Sequence, residues 1–279
     1  MSPDLSTPFT SSDPSDVYAC NSFQPRNLVA PLPVLPVETD REVFPCFGNC
    51  YARSSPCKFS GGGYAALADA SFTVRHGDRE SPRIAITVDD CYDTDQVLAA
   101  VALCEQYGIK MTFFVIGEAL KYADTDIWQA VLDAGCEIGN HSWGHVNLTN
   151  LTSHQIKFQM LRTQQKLDQV LGYHYPMQVM RPPQGKTSNT VASAVADVGY
   201  LSVVRWDVSQ TNASQALKDT QSGSILLYHA RAKDMRCLAT LIPDLMEQGY
   251  ECVTVSELLG LPSIVISDEI YMYQRADAG

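Results

Sequence analysis

Asp89 and Asp90 stand side by side behind the apolar run "IAITV". Two carboxylates that close resist ionising together unless a cation sits beside them. His141 and His145, in "GNHSWGHVNL", are four residues apart. On one helical turn that spacing puts both imidazoles on one face, where they can grip a metal. Two imidazoles and one carboxylate make three protein ligands with open positions, the pattern of a catalytic rather than a structural zinc site. Such a metal neutralises one aspartate and lowers the pKa of bound water to about 7. The second aspartate is then free to act as a base, which is a physical reason for having two acids. Arg181, after "MQVM", and His229, after "SILLY", also close apolar runs. Each feature has an ordinary explanation on its own. Paired acids suit a helix N-terminus, histidines occur in loops, Arg181 precedes two prolines in a rigid turn, and His229 suits a satisfied core position. Their joint placement at strand ends points to one site.

The elements that must position these residues begin at Arg83. "RIAITV", "KMTFFVI", "CEIG", "MQVM", "YLSVVRWD", "GSILLYHA" and "ECVTV" read as strands. "DTDQVLAAVALCEQYG", "DIWQAVLDAG", "TSHQIKFQMLRTQQKLDQVLG" and "DMRCLATLIPDLMEQGY" read as helices, with glycine stops at Gly108 and Gly135 and an N-cap at Thr152 or Ser153. Alternating strands and helices predict an α/β fold with a parallel sheet, closed as a barrel or open and doubly wound. In a barrel the chemistry sits at the carboxyl ends of the strands. No Gly-x-Gly-x-x-Gly follows the first strand, which argues against dinucleotide binding.

"TVDDCYD", "HSWGH", "RPPQG", "WDVSQTNA" and "LLYH" occur in the order of the five motifs of the polysaccharide deacetylase family, the NodB homology domain or carbohydrate esterase family 4. The chain resembles that family from about Arg83 to Leu261. The resemblance implies a distorted (β/α)7-8 barrel and metal-dependent removal of acetyl groups from N-acetylated sugars. It also implies roles: Asp89 as general base, Asp90, His141 and His145 as metal ligands, Arg181 orienting Asp89, and His229 as general acid. The Gln184 N–H would help bind the oxyanion, and Leu227 would line the acetyl-methyl pocket. One divalent metal is expected, zinc first, with cobalt and nickel fitting the same donors. The chain departs from the family pattern at three places. Cys91-Tyr92 replaces the usual Gly-Pro, Gln184 replaces an aromatic residue, and Asn212-Ala213 replaces an Asp-Trp pair. The replaced aspartate normally supports the acidic histidine. Asparagine hydrogen-bonds an imidazole but carries no charge to balance the protonated ring. Asp207 is the acid nearby that would substitute. Cys91 is expected to act as filler.

The 279 residues suit one large domain or a domain with an extension. Residues 1–80 read as an irregular Pro/Ser/Gly-rich tether, 81–262 as the catalytic domain and 263–279 as a tail. The formal net charge of −11 argues against a nucleic-acid partner. No stretch approaches the roughly 18 apolar residues of a membrane helix. Among the nine cysteines, Cys104, Cys136 and Cys252 read as core thiols. Cys46, Cys50 and Cys57 read as a disulfide cluster rather than half a zinc site. His76, His154 and His174 are expected at the surface, and Trp206 in the core. An N-acetylated glycan such as peptidoglycan or chitin is the expected partner, which implies an extracellular or cell-surface location. Two alternatives are hydrolysis of another amide or imide on the same fold, and a non-catalytic glycan-binding module that keeps its metal.

Overall fold

The computed structural model describes residues 72–268. The cysteine cluster at Cys46, Cys50 and Cys57, and most of the expected tether, lie outside the described residues. Among the described residues the strands are β1 (Thr73–Val74), β2 (Arg83–Asp90), β3 (Met111–Val115), β4 (Glu137–Asn140), β5 (Val179–Met180), β6 (Ser202–Val204), β7 (Ile225–His229) and β8 (Glu251–Cys252). Among the described residues the α-helices are α1 (Thr94–Tyr107), α2 (Thr125–Asp133), α3 (Ser153–Leu171), α4 (Asn189–Ala196), α5 (Ala213–Asp219), α6 (Ala232–Glu247) and α7 (Val255–Leu258). The sheet takes in Thr73 and Val74 from the stretch assigned to the extension. At the other end Ser267 bridges His174.

All strand pairs are parallel, in the order β1-β6-β5-β4-β3-β2-β7, with β8 beside the start of β2. The two ends of this row meet through isolated bridges, His76 to Ser224 and Val208 to Leu226. The result is a distorted barrel whose closure relies on single bridges rather than a full ladder. Successive strand residues face opposite sides, and the core follows that alternation. Ile84, Ile86 and Val88 of β2, with Leu226 and Tyr228 of β7, pack in the larger cluster under the helices. Ala85, Phe114, Val179, Val204 and Ile225 form a smaller cluster on the opposite face. Thr87, Asp89, Arg181, Leu227 and His229 share the parity of that inner set. Strand alternation thus carries the polar residues up from the barrel interior to its carboxyl end.

The helix signals hold where they were strongest. Gly108 ends α1 in the left-handed conformation (φ 64°). Thr152 opens α3 in a reciprocal capping box with Gln155. Three short helices depart from the expected pattern. Ser188 caps α4 and Asn212 caps α5 by accepting N–H bonds from Val191 and Gln215. "ECVTV" stops pairing at Cys252, because Thr254 turns the chain into α7 through a second capping box with Glu257. "YLSVVRWD" keeps only three residues in the sheet.

Cys104, Cys136 and Cys252 are buried, as expected. His76 and His154 are exposed. His174 is not a free surface residue. Its Nδ1 lies 2.6 Å from the buried Asp168 carboxylate. Trp206 is half-buried against the inner cluster. Among the described residues no helix is long and apolar enough to cross a membrane.

Candidate active site and metal centre

Asp89, the penultimate residue of β2, lies on the inner face and is 3% exposed. Arg181 follows β5 and is fully buried beside it. The Arg181 Nη1 donates to Asp89 Oδ1 and to Thr87 Oγ1, both at 2.6 Å. Its other nitrogens donate to the carbonyls of Val204 (3.4 Å) and Arg205 (3.2 Å). The guanidinium lies over the Phe114 ring, 4.2 Å from the centroid. Burial pulls the guanidinium below its ordinary pKa, and the Asp89 carboxylate opposes that shift. Arginine stays protonated across such shifts. A buried charge is tolerable only when paired and hydrogen-bonded, and here each of the three guanidinium nitrogens has an acceptor.

Asp90, His141 and His145 converge next to this pair, with ligand atoms all within 4.8 Å of one another. Asp90 Oδ1 lies 3.7 Å from His141 Nε2 and 3.6 Å from His145 Nε2. That oxygen is buried and has no hydrogen-bond partner. The histidines are not on a helical turn. Ser142 (φ 68°) and His145 (φ 53°) are left-handed, and this coiling brings the two ring centroids to 5.0 Å. The loop is pinned from below. Ser142 N–H donates to Asn140 Oδ1, and Gln159 Oε1 accepts from the N–H groups of Trp143 and Gly144. His141 Nδ1 lies 2.8 Å from the Arg181 carbonyl, so it must carry the proton there and leave Nε2 with a free lone pair. Burial pushes the His141 imidazole down, against the pull of Asp89. A neutral imidazole, a second imidazole and an orphaned carboxylate oxygen fit a divalent cation. Arg231 Nη2 lies 3.3 Å from Asp90 Oδ2 on the outer side.

Backbone strain marks the same place. The non-glycine residues with positive φ among those described are Asp90, Cys91, Ser142, His145 and Gln184. Left-handed backbone costs about 1–2 kcal/mol per residue away from glycine, and such residues cluster at functional sites. Cys91 is buried with its thiol toward the Val88 carbonyl, a filler as expected. Burial, then Asp89 and Asp90, hold that thiol protonated. Tyr92 turns outward, and its hydroxyl donates to Glu118 (3.2 Å).

His229 and Leu227 sit on β7 opposite Asp89 and Thr87. Both are half-buried. Gln184 is exposed on the turn after Arg181. Asn212, expected to face His229, instead caps α5 (3.0 Å to Gln215 N). Asp207 does not substitute. Arg79, Ser224 and the Ile225 N–H hold it at the closure of the barrel. The acid beside His229 is Asp234 of α6, 3.7 Å from Nδ1. Sequence reasoning missed it because acids in a first helical turn are common. Thr87 and Arg231 were also missed. Thr87 was legible only as an inward parity match to Asp89, and Arg231 only by its place two residues after His229.

The structure thus brings Asp89, Asp90, His141, His145, Arg181, Leu227 and His229 to one end of the barrel. Residues 76–203 match the polysaccharide deacetylase family. A peptidoglycan-N-acetylglucosamine deacetylase of Bacillus cereus is 30% identical over 63% of this chain and 87% of its own length. The peptidoglycan-N-acetylglucosamine deacetylase PgdA of Listeria monocytogenes is 29% identical over 65% of this chain, which spans only 40% of that relative. Among solved structures, a mutant of a carbohydrate esterase family 4 pseudoenzyme of Bacillus anthracis, with restored enzymatic activity, superposes with a TM-score of 0.62. It is 25% identical and covers 68% of this chain and 72% of its own. The motif order, the barrel and these similarities agree: the chain belongs to the polysaccharide deacetylase family.

Proposed function

We propose that this chain is a metal-dependent hydrolase that removes N-acetyl groups from N-acetylglucosamine-containing polysaccharide, peptidoglycan or chitin-like. The observation that carries the reading is the orphaned Asp90 Oδ1 facing two histidines while its neighbour Asp89 is held by Arg181. Asp90, His141 and His145 would hold a divalent ion, zinc in the first instance. When bound, it supplies Lewis-acid polarisation of the amide carbonyl and acidifies water.

The remaining chemistry belongs to the protein. Arg181 pairs with Asp89 and keeps its carboxylate aimed at the site. Asp89 takes a proton from the attacking water. The Gln184 N–H donates to the oxygen that gains charge as the carbonyl is attacked. Leu227 gives the acetyl methyl an apolar wall. His229 hands a proton to the nitrogen as the carbon–nitrogen bond breaks, so acetate and a free amine leave. A polymer of this class implies action outside the cell or at its surface.

Acetate release from N-acetylglucosamine oligomers and from peptidoglycan, with and without a chelator, tests the reading. Release that stops with chelator and returns with zinc is the expected result. Metal binding without release from either substrate would favour a non-catalytic glycan-binding role.

A further inference from the structure

Asp234 is an acid that the steps above do not use. It stands third in α6, and its side chain is only 1% exposed. Acids that merely complement a helix dipole sit at the surface, where solvation is kept. This one is turned inward onto β7. Its Oδ2 accepts the backbone N–H of His229 at 2.9 Å and lies 3.7 Å from the Nδ1 of the same residue. Its Oδ1 is buried and has no partner. A buried carboxylate with a lone oxygen is costly unless a donor comes to it.

We infer that Asp234 is the positioning residue for His229. It anchors the strand end through the main chain, and its carboxylate, 3.7 Å from Nδ1, takes Nδ1–H once a small rotation of the ring closes that gap. That proton placement fixes the tautomer and turns Nε2 toward the site. The inference rests on the deacetylase reading for its consequence, since the carboxylate then balances the ring's charge before the proton passes to the leaving nitrogen. Neither other nearby candidate is available, because Asn212 caps α5 and Asp207 is bound by Arg79. Asp89 faces His229 across the ladder and is bound by Arg181, while Arg231 lies 3.3 Å from Asp90 Oδ2. Arg181 binds Asp89 Oδ1 and Arg231 binds Asp90 Oδ2. The support has moved from the loop before β7 to the helix after it.

Protonation by His229 matters for an amine leaving group and little for a phenolate. The test is therefore D234N and D234E, assayed with zinc-loaded enzyme on N-acetylglucosamine oligomers and on 4-nitrophenyl acetate. For D234N, kcat on the oligomers is expected to fall about 10- to 100-fold, up to the lower limit of the range for acid–base catalysis, because the acid is mispositioned rather than removed. KM and ester turnover should stay within about twofold. D234E should recover part of the loss. Long-range nitrogen–proton NMR of the metal-free protein gives a second readout. Wild type should carry the His229 proton on Nδ1, and D234A should shift it toward Nε2. Equal losses on amide and ester, or an Nε2–H ring in wild type, would overturn the inference. If wild type releases no acetate from any oligomer, the deacetylase reading fails by itself, and the NMR result still judges the positioning.

Discussion

Neighbouring strand residues normally face opposite sides, yet Asp89 and Asp90 both reach the site. The left-handed backbone at Asp90 (φ 70°) turns its carboxylate back toward the histidines while Asp89 keeps the inward direction of β2. The strain lets two adjacent acids take different partners: Asp89 bonds Arg181, Asp90 faces both histidines, and His141 Nε2 lies 3.7 Å from an oxygen of each acid. This division was legible in the sequence as chemistry, from the paired acids and the spaced histidines. Its geometry was not, because φ at a single residue leaves no periodic trace. The division has a direct consequence. Asp89→Asn keeps the shape and removes the base, so turnover should fall by about 10²- to 10⁴-fold with zinc affinity nearly unchanged. Asp90→Asn should instead weaken zinc at least about tenfold, as expected when a charged ligand is lost. Isothermal titration with zinc beside acetate assays separates the two. Loss of zinc in Asp89→Asn would reverse the roles of the two acids.

Long elements announced themselves through repetition and caps. α1 and α3 have the apolar spacing, the terminal glycine or the capping box that many residues together specify. The elements that escaped notice are short. α4, α5 and α7 are eight, seven and four residues long, and each is set by one cap and its tertiary packing. Asn212 shows the effect most clearly. As a motif position it promised contact with His229, whereas as a local signal it was a good N-cap, and the local role won. The turn after β5 is just as dependent on one residue. Gly185 has φ 65°, and a Cβ there would lie 2.7 Å from the Trp206 ring. Gly185→Ala must take up left-handed strain and push Trp206 aside. It should cost about 1–3 kcal/mol and move Gln184 with it. Thermal melts should fall while acetate release loses more in kcat/KM than unfolding explains. An unchanged melt would mean that Trp206 yields freely.

At the scale of the whole molecule, β2 is the hub. It pairs with β3, β7 and β8, and its last two residues open the site. Arg181 ties that strand to the far wall through the carbonyls of Val204 and Arg205. The barrel's closure and its chemistry therefore share one buried network. An ion held by Asp90, His141 and His145 would join β2 to the loop after β4, two segments that separate on unfolding. Binding only to the folded state stabilises it by mass action, about 2.7 kcal/mol at 100 times Kd. For a domain of roughly 150–250 residues each kcal/mol raises Tm by about 2–4 °C. Zinc at that excess should therefore raise Tm by about 5–10 °C over the metal-free protein, and EDTA should reverse the gain. His141→Ala should start from a lower melt, because its bond to the Arg181 carbonyl is gone, and should show almost no response to zinc. A zinc shift that survives in His141→Ala would place the stabilising ion somewhere other than this cluster, even if the catalytic assays succeeded.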